Sequence, residues 1–298
     1  MARMPAAEVD VDEPLVRRLL ADQHPDLAAL PLRLLANGWD NVIWRLGDDL
    51  VVRAPRRAAA AGLIENEQRW LPRLAAHLPV RIPVPVRLGR PTAYYPWSWT
   101  VGTWTAGVSA AVVPAAARDS VAEPLAEFLL ALHRPAPADA PHNPVRGVPL
   151  GTRDRAVRER LAGGAVPDAA RVAALWDDLS AAPPWTGTSL WLHGDLHPAN
   201  LVLDADGALA AVIDFGDLTA GDPATDLATA WLTFDDDARR RFVERVHDGA
   251  RHDDATWARA RGWALSLATA LLAHSDDAPV LGALGRETLA RVLTGPDR

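Results

Sequence analysis

Cysteine is absent from the 298 residues, so disulfides and thiolate metal sites are excluded. That absence fits a reducing compartment, and a cytoplasmic location is the expectation. Lysine is absent too, all 31 basic residues being arginines. Wherever this chain must grip an anion with a side chain, arginine has to do it. No apolar run reaches the roughly 18 residues that span a bilayer. Residues 1–12 carry acids rather than the basic-then-apolar order of a signal peptide. The net charge is −7, so bulk electrostatics disfavour nucleic acid and anionic membranes as partners and suit a cationic small molecule.

What is present is 49% hydrophobic residues, enough for one large domain or two associated lobes. A helix is expected from Asp12 or Glu13 through Asp22, with Pro14 in its first turn and an apolar stripe at Leu15, Leu19 and Leu20. Short apolar runs at 32–35, 42–46 and 50–54 are separated by Asn37-Gly38-Trp39-Asp40-Asn41 and Gly47-Asp48-Asp49, which is turn chemistry. They predict three antiparallel strands. Residues 56–77 predict a helix that Pro72 ends or kinks. Strands are expected at 84–88 and 97–104, the second placing Trp97 and Trp99 on one face.

Beyond residue 104 the periodicity is mainly helical, over 121–133, 152–161, 168–181, 236–247, 254–275 and 279–293. Residues 133–149 hold five prolines and predict an irregular surface loop. A hairpin, 201–203 with 210–213, interrupts the helices. The expected fold class is α+β in two lobes: a small antiparallel sheet lobe, residues 1–104, and a larger helical lobe, residues 105–298.

The chemistry concentrates around that hairpin. His193-Gly194-Asp195-Leu196-His197-Pro198-Ala199-Asn200 precedes it and Ile213-Asp214-Phe215-Gly216 follows it. Phosphoryl transfer to an alcohol needs a carboxylate to orient the hydroxyl, hard oxygen ligands for Mg²⁺ and a cation on the phosphates. The spacing Asp-x-x-x-x-Asn followed by Asp-Phe-Gly matches the catalytic loop and metal-binding motif of protein kinases. A lone Asp is usually a turn cap; three such residues around one hairpin are harder to read that way.

The His-Gly-Asp-Leu-His-Pro-x-Asn and Ile-Asp-Phe-Gly motifs together resemble the aminoglycoside phosphotransferase family, which shares the protein-kinase-like fold. Gly221-Asp222-Pro223-Ala224-Thr225-Asp226-Leu227-Ala228 resembles that family as well, and so does 41–46 followed by Leu50-Val51-Val52-Arg53. The resemblance implies Asp195 as catalytic base, Asn200 and Asp214 as magnesium ligands, His193 as a loop-orienting group and Asp226 as a structural tether. His197 is left between structure and chemistry. Arg53 stands where the family's phosphate-binding lysine is expected, with Glu67 as its partner and Glu65 in reserve.

The resemblance also implies ATP or GTP as donor, a phosphate-covering turn at Gly38 and Asn41, and nucleotide-base contacts near Gly102, Thr103 and Trp104. The glycine-rich loop of kinases is missing, Gly38 being the single glycine in its place. A hydroxylated small molecule, an aminoglycoside or another antibiotic, is the implied acceptor, with a metabolite alcohol as the alternative and a cleft expected around 235–237 and 253–263. Two readings of other classes compete. His193-x-Asp195-x-His197 can be read as a transition-metal hydrolase site, and the absent lysine admits a kinase-fold binding module without turnover.

Overall fold

A computed structural model describes residues 6–294. Asp12 caps the first helix, α1 (Glu13–Gln23), by accepting from the Leu15 amide at 2.9 Å. The helix buries Val16, Leu19 and Leu20, while Leu15 is only partly covered. The next elements are β1 (Leu32–Asn37), β2 (Asn41–Leu46), β3 (Leu50–Pro55), α2 (Ala58–Ala75), β4 (Pro85–Gly89) and β5 (Trp99–Thr103). The five strands form one antiparallel sheet in the order β1-β2-β3-β5-β4. Val42, Trp44 and Leu46 alternate inward along β2, as a half-covered strand requires. With Leu19, Val52 and Trp99 they form the core of this lobe.

Two expectations need correction here. Helix α2 passes through Pro72 and ends at Ala75, so the proline falls at the start of the last turn, where few bonds remain to lose. Trp97 lies outside β5. Trp99 is fully buried, whereas the half-covered Trp97 meets Tyr95 edge-on at 5.6 Å, so the two do not share a strand face. Pro96 precedes Trp97 and cannot donate to a ladder, which delays the strand.

The second lobe begins with β6 (Val108–Ser109) and α3 (Ala122–Leu132), then α4 (Asp154–Ala162), α5 (Ala169–Ser180) and β7 (Leu190–Leu192). The hairpin β8 (Leu201–Leu203) and β9 (Leu209–Val212) follows, with β10 (Thr219–Gly221), α6 (Ala224–Leu227) and α7 (Thr229–Thr233) after it. Three long helices close the chain: α8 (Asp236–Ala250), α9 (Asp254–His274) and α10 (Pro279–Thr294). β6 pairs with β8, and β7 pairs with β10, both antiparallel. Helix α9 is buried around much of its girth, including Trp257 and Trp263, and α4, α5, α6, α7 and α10 pack on it. Trp70 and Leu71 of α2 join this larger core, while the helix also lies against β3, β4 and β5 of the sheet.

Candidate active site

The sheet lobe contributes one charged pair. Arg53 on β3 donates from Nη1 to Glu67 Oε2 on α2 at 2.5 Å, and both side chains are nearly removed from solvent. Burial opposes the charge on Arg53, but Glu67 and then Asp214 outweigh it and raise its pKa. Glu65 points elsewhere, accepting from the Ser98 hydroxyl at 3.1 Å. Arg53 Nη2 also lies 3.6 Å from Asp214 Oδ1, an ion pair between the lobes.

The helical lobe holds the rest. Asp214 follows β9 with φ of 63°, a left-handed conformation that non-glycine residues rarely adopt away from functional turns, and its carboxylate is largely exposed. Asn200 donates from Nδ2 to the Asp195 carbonyl at 2.9 Å, and its own carbonyl accepts from the Ile213 amide at 2.9 Å. Those two bonds bring Asp195, Asn200 and Asp214 to one end of the hairpin. The geometry suits magnesium: Asn200 spends its amide nitrogen on Asp195, while its side-chain oxygen and the Asp214 carboxylate offer hard ligands. Among the described residues no cluster of three His, Cys, Asp or Glu side chains is arranged to hold a metal by itself. Magnesium does not need one, since it completes its shell with water and phosphate oxygens.

Both histidines of the motif are committed. His193 accepts from the Asp195 amide at Nδ1 (3.2 Å) and donates from Nε2 to the Ile213 carbonyl (2.9 Å), fixing its tautomer. His197 accepts from the Ala199 amide at Nδ1 (3.2 Å), and its Nε2 lies 3.3 Å from Asp195 Oδ2. No imidazole nitrogen is left for a transition metal, so the hydrolase reading loses its ligands. Asp226, fully buried, accepts from the His193 and Gly194 amides at 2.8 Å each and sits 3.2 Å from His133 Nε2. It ties the His193–Asn200 loop to α6 and α3.

Asp195 lies against a guanidinium and an imidazole. Arg146 Nη2 is 2.8 Å from its Oδ1, and Arg146 Nε is 3.3 Å from Asp217 Oδ2. Burial works against ionisation of Asp195, but His197, Arg146 and His193 outweigh it and hold the carboxylate well below its usual range. Burial and the neighbouring charges of Asp195 and Asp214 push Asp217 upward against Arg146 and Asn143. Neither Arg146 nor Asp217 is picked out by sequence reasoning. Arg146 sits in the proline-rich loop read as irregular surface, and Asp217 lies three residues past the Asp-Phe-Gly aspartate with no motif of its own.

The turn at Gly38–Asn41, expected to cover phosphates, is closed by the Gly38 amide on the Asn41 carbonyl at 2.9 Å. Two arginines brace it: Arg56 donates to the Gly38 carbonyl (3.1 Å), and Arg57 donates to the Trp39 carbonyl (3.1 Å) and pairs with Asp40 (2.5 Å). These arginines stand in for missing glycines as the means of shaping the turn. Gly102 lies in the sheet opposite Val51 and Pro85, and the Trp104 amide bonds the Asp49 carbonyl at 2.7 Å. The Trp104 ring carries the Arg45 guanidinium at 4.3 Å, so its stacking face is already in use.

The expected acidic cleft is not free. Asp235 caps α8 by accepting from the Ala238 amide at 3.1 Å, Asp236 pairs with Arg239 at 2.8 Å, and Asp237 pairs with Arg240. Asp253 caps α9, and much of the 253–263 stretch, including Trp257 and Trp263, is interior.

A five-stranded antiparallel sheet over a helical lobe, with a buried Arg-Glu pair facing an Asp-Asn-Asp constellation, defines a kinase-like phosphotransferase. Residues 31–263 match the model of the phosphotransferase enzyme family, APH, and the chain belongs to that family. A curated relative, the uncharacterized protein YcbJ of Bacillus subtilis (strain 168), is 32% identical over 60 residues, which is 20% of each chain. The match therefore spans a fifth of that protein's length. Among solved structures, a GDP complex of a mutant aminoglycoside 2'-phosphotransferase-IIIa superposes with a TM-score of 0.69 at 22% identity, over 94% of this chain and 97% of that one. The apoenzyme of macrolide 2'-phosphotransferase MphH from Brachybacterium faecium gives 0.61 at 23% identity, over 94% and 98%. Among the described residues no helix is long and apolar enough to cross a membrane.

Proposed function

We propose that this phosphotransferase moves the γ-phosphoryl group of ATP or GTP onto a hydroxyl of a small molecule, an aminoglycoside or another antibiotic. The observation that carries the reading is the 3.6 Å contact of Arg53 with Asp214, which joins the Arg53–Glu67 pair of one lobe to the Asp195–Asn200–Asp214 group of the other. In this reading residues 1–104 cover the nucleotide, with the Gly38–Asn41 turn over its phosphates and its base near Gly102 and Trp104. Residues 105–298 carry the chemistry and the acceptor site.

Arg53 grips phosphate oxygens through its planar fork while Glu67 fixes its direction. Asn200 and Asp214 would hold magnesium, which would supply positive charge against the phosphates. Asp195 accepts a hydrogen bond from the attacking hydroxyl and takes its proton as transfer proceeds. His193 and Asp226 keep the loop in place.

The acidic balance of the chain and the family's solved aminoglycoside and macrolide phosphotransferases favour an antibiotic over a metabolite alcohol. The test is a matrix of ATP and GTP against aminoglycosides, macrolides, sugars and choline-like alcohols, with product read by mass. A mass gain of one phosphoryl group on an antibiotic supports the reading. Gain on metabolite alcohols alone redirects it, and hydrolysis-free nucleotide binding with no product anywhere leaves a binding module.

A further inference from the structure

Arg146 is the charged side chain of the site to which the phosphotransfer reading gives no task. It comes from the proline-rich loop, and the loop is fastened on both flanks of it. On one side the Asn143 amide donates to Thr219 Oγ1 at 3.1 Å, and Asn143 Nδ2 donates to Asp217 Oδ1 at 2.8 Å. Asn143 Oδ1 accepts from the amides of Val145 (2.9 Å) and Arg146 (3.1 Å), closing a turn around the residues between. On the other side Gly147, with φ of 67°, donates to Thr225 Oγ1 at 3.1 Å and accepts from the Asp222 amide at 3.1 Å. Gly221 packs so close that a Cβ there would stand 2.0 Å from the Gly147 carbonyl oxygen. Asp222 is itself fixed by Arg259 of α9 at 2.7 Å. A surface loop needs none of this.

The fastening delivers one guanidinium, 18% exposed, against Asp195 and Asp217. Asp195 is thereby held at both oxygens, Oδ1 by Arg146 at 2.8 Å and Oδ2 by His197 at 3.3 Å. Two donors on two oxygens set the plane of the carboxylate. About four lone-pair sites are available on a carboxylate, so room remains for an incoming hydroxyl. In a transfer with a loose transition state, position of that carboxylate counts for more than its basicity. A displacement of about 1 Å can cost on the order of 10²-fold in rate.

We propose that Arg146 is a positioning residue for phosphoryl transfer, holding the Asp195 carboxylate toward the acceptor hydroxyl; this rests on Asp195 being the group that orients the acceptor. Its charged partners are Asp195 and Asp217, whereas Arg53 pairs with Glu67 and Asp214. Its loss therefore acts on kcat and spares nucleotide binding.

The test compares full-length wild type with Arg146→Met, Arg146→Lys and Asn143→Ala. The donors are Mg·ATP and Mg·GTP, the probe acceptors kanamycin, erythromycin and water. Arg146→Met is expected to lower kcat about 10- to 100-fold with nucleotide KM unchanged within about twofold. Arg146→Lys, which supplies a single point charge, recovers part of that loss at the same KM. Asn143→Ala loosens the loop and lowers Tm, with a kcat loss smaller than that of Arg146→Met because the guanidinium itself remains. Arg146→Met at wild-type kcat overturns the proposal. So does a matching loss in Asn143→Ala, the mark of a simple loop brace, or Arg146→Lys no better than Arg146→Met. Should Arg146→Met not fold, Arg146→Lys decides: reduced kcat at constant KM supports the assignment, and unchanged kcat or a raised KM removes it. A wild type that transfers to none of the probes overturns the antibiotic reading of the acceptor, a failure distinct from any behaviour of the Arg146 variants.

Discussion

Arg53 and Glu67 meet at 2.5 Å inside the sheet lobe, and the same guanidinium reaches to 3.6 Å from Asp214 across the cleft. One arginine thus connects β3, α2 and the catalytic hairpin. Arg53→Ala leaves Glu67 buried without its partner, which costs about 3–5 kcal/mol. The expected result is a lower Tm and at least a tenfold weaker nucleotide affinity by calorimetry. Arg53→Lys keeps a cation in reach and retains measurable turnover. Wild-type affinity in Arg53→Ala would remove the phosphate role.

Asp226 satisfies two loop amides and lies against His133 from a fully buried position. Asp226→Asn keeps the shape but replaces one acceptor oxygen by a donor, facing an N–H group with an NH₂. The expected cost is about 1–3 kcal/mol, read by chemical denaturation, with kcat falling because the His193–Gly194–Asp195 turn loosens. Stability and kcat both unchanged would show that the tether is idle.

Gly194 carries φ of 88°, and a Cβ there would stand 2.2 Å from the Asp217 backbone oxygen. Gly194→Ala combines left-handed strain with a clash against backbone that cannot swing aside. A loss on the order of 2–5 kcal/mol is expected, visible as a Tm drop of many degrees. A Tm within a degree or two of wild type contradicts the described loop.

How much of this was legible beforehand follows from the length of each signal. The eight-residue His193–Asn200 motif and the Asp-Phe-Gly turn stand out because chemistry fixes both residue types and spacing. Helices such as α2 and α8 show their period, and strand β2 its alternation. The three-residue strands β7 and β10 and the short helices α6 and α7 were not anticipated, since three to five residues carry no period. Arg146 was hidden for a different reason. Its loop is rich in proline and low in regular structure, yet it is pinned through side chains and backbone contacts distant in sequence, which no local pattern reveals. The acidic run 235–237 reads in sequence as the start of a helix or as a grip on a cation, because both ask for the same residue type, and it does start α8.

His252 sits at the α8–α9 junction with its ring edge toward Trp257 at 6.4 Å. Burial, and next the nearby His133, lower its pKa from 6.5 to about 4. The folded state keeps it neutral while the unfolded chain takes up a proton below about 6.5, so stability present above that pH is lost progressively as the pH falls toward 4. His252→Leu should flatten the fall of Tm over that interval relative to wild type. Parallel curves would mean that His252 is not a source of the acid sensitivity.

The central claim is that Asp195 acts on the acceptor and not on the nucleotide. Its most direct test measures, in the same preparation of Asp195→Ala, the Kd for Mg·ATP and Mg·GTP and the rate of phosphoryl transfer to an acceptor that wild type modifies. The account predicts an unchanged Kd and a rate lower by about 10²–10⁴-fold. Transfer at the wild-type rate, or a Kd weakened in step with the rate, would contradict it.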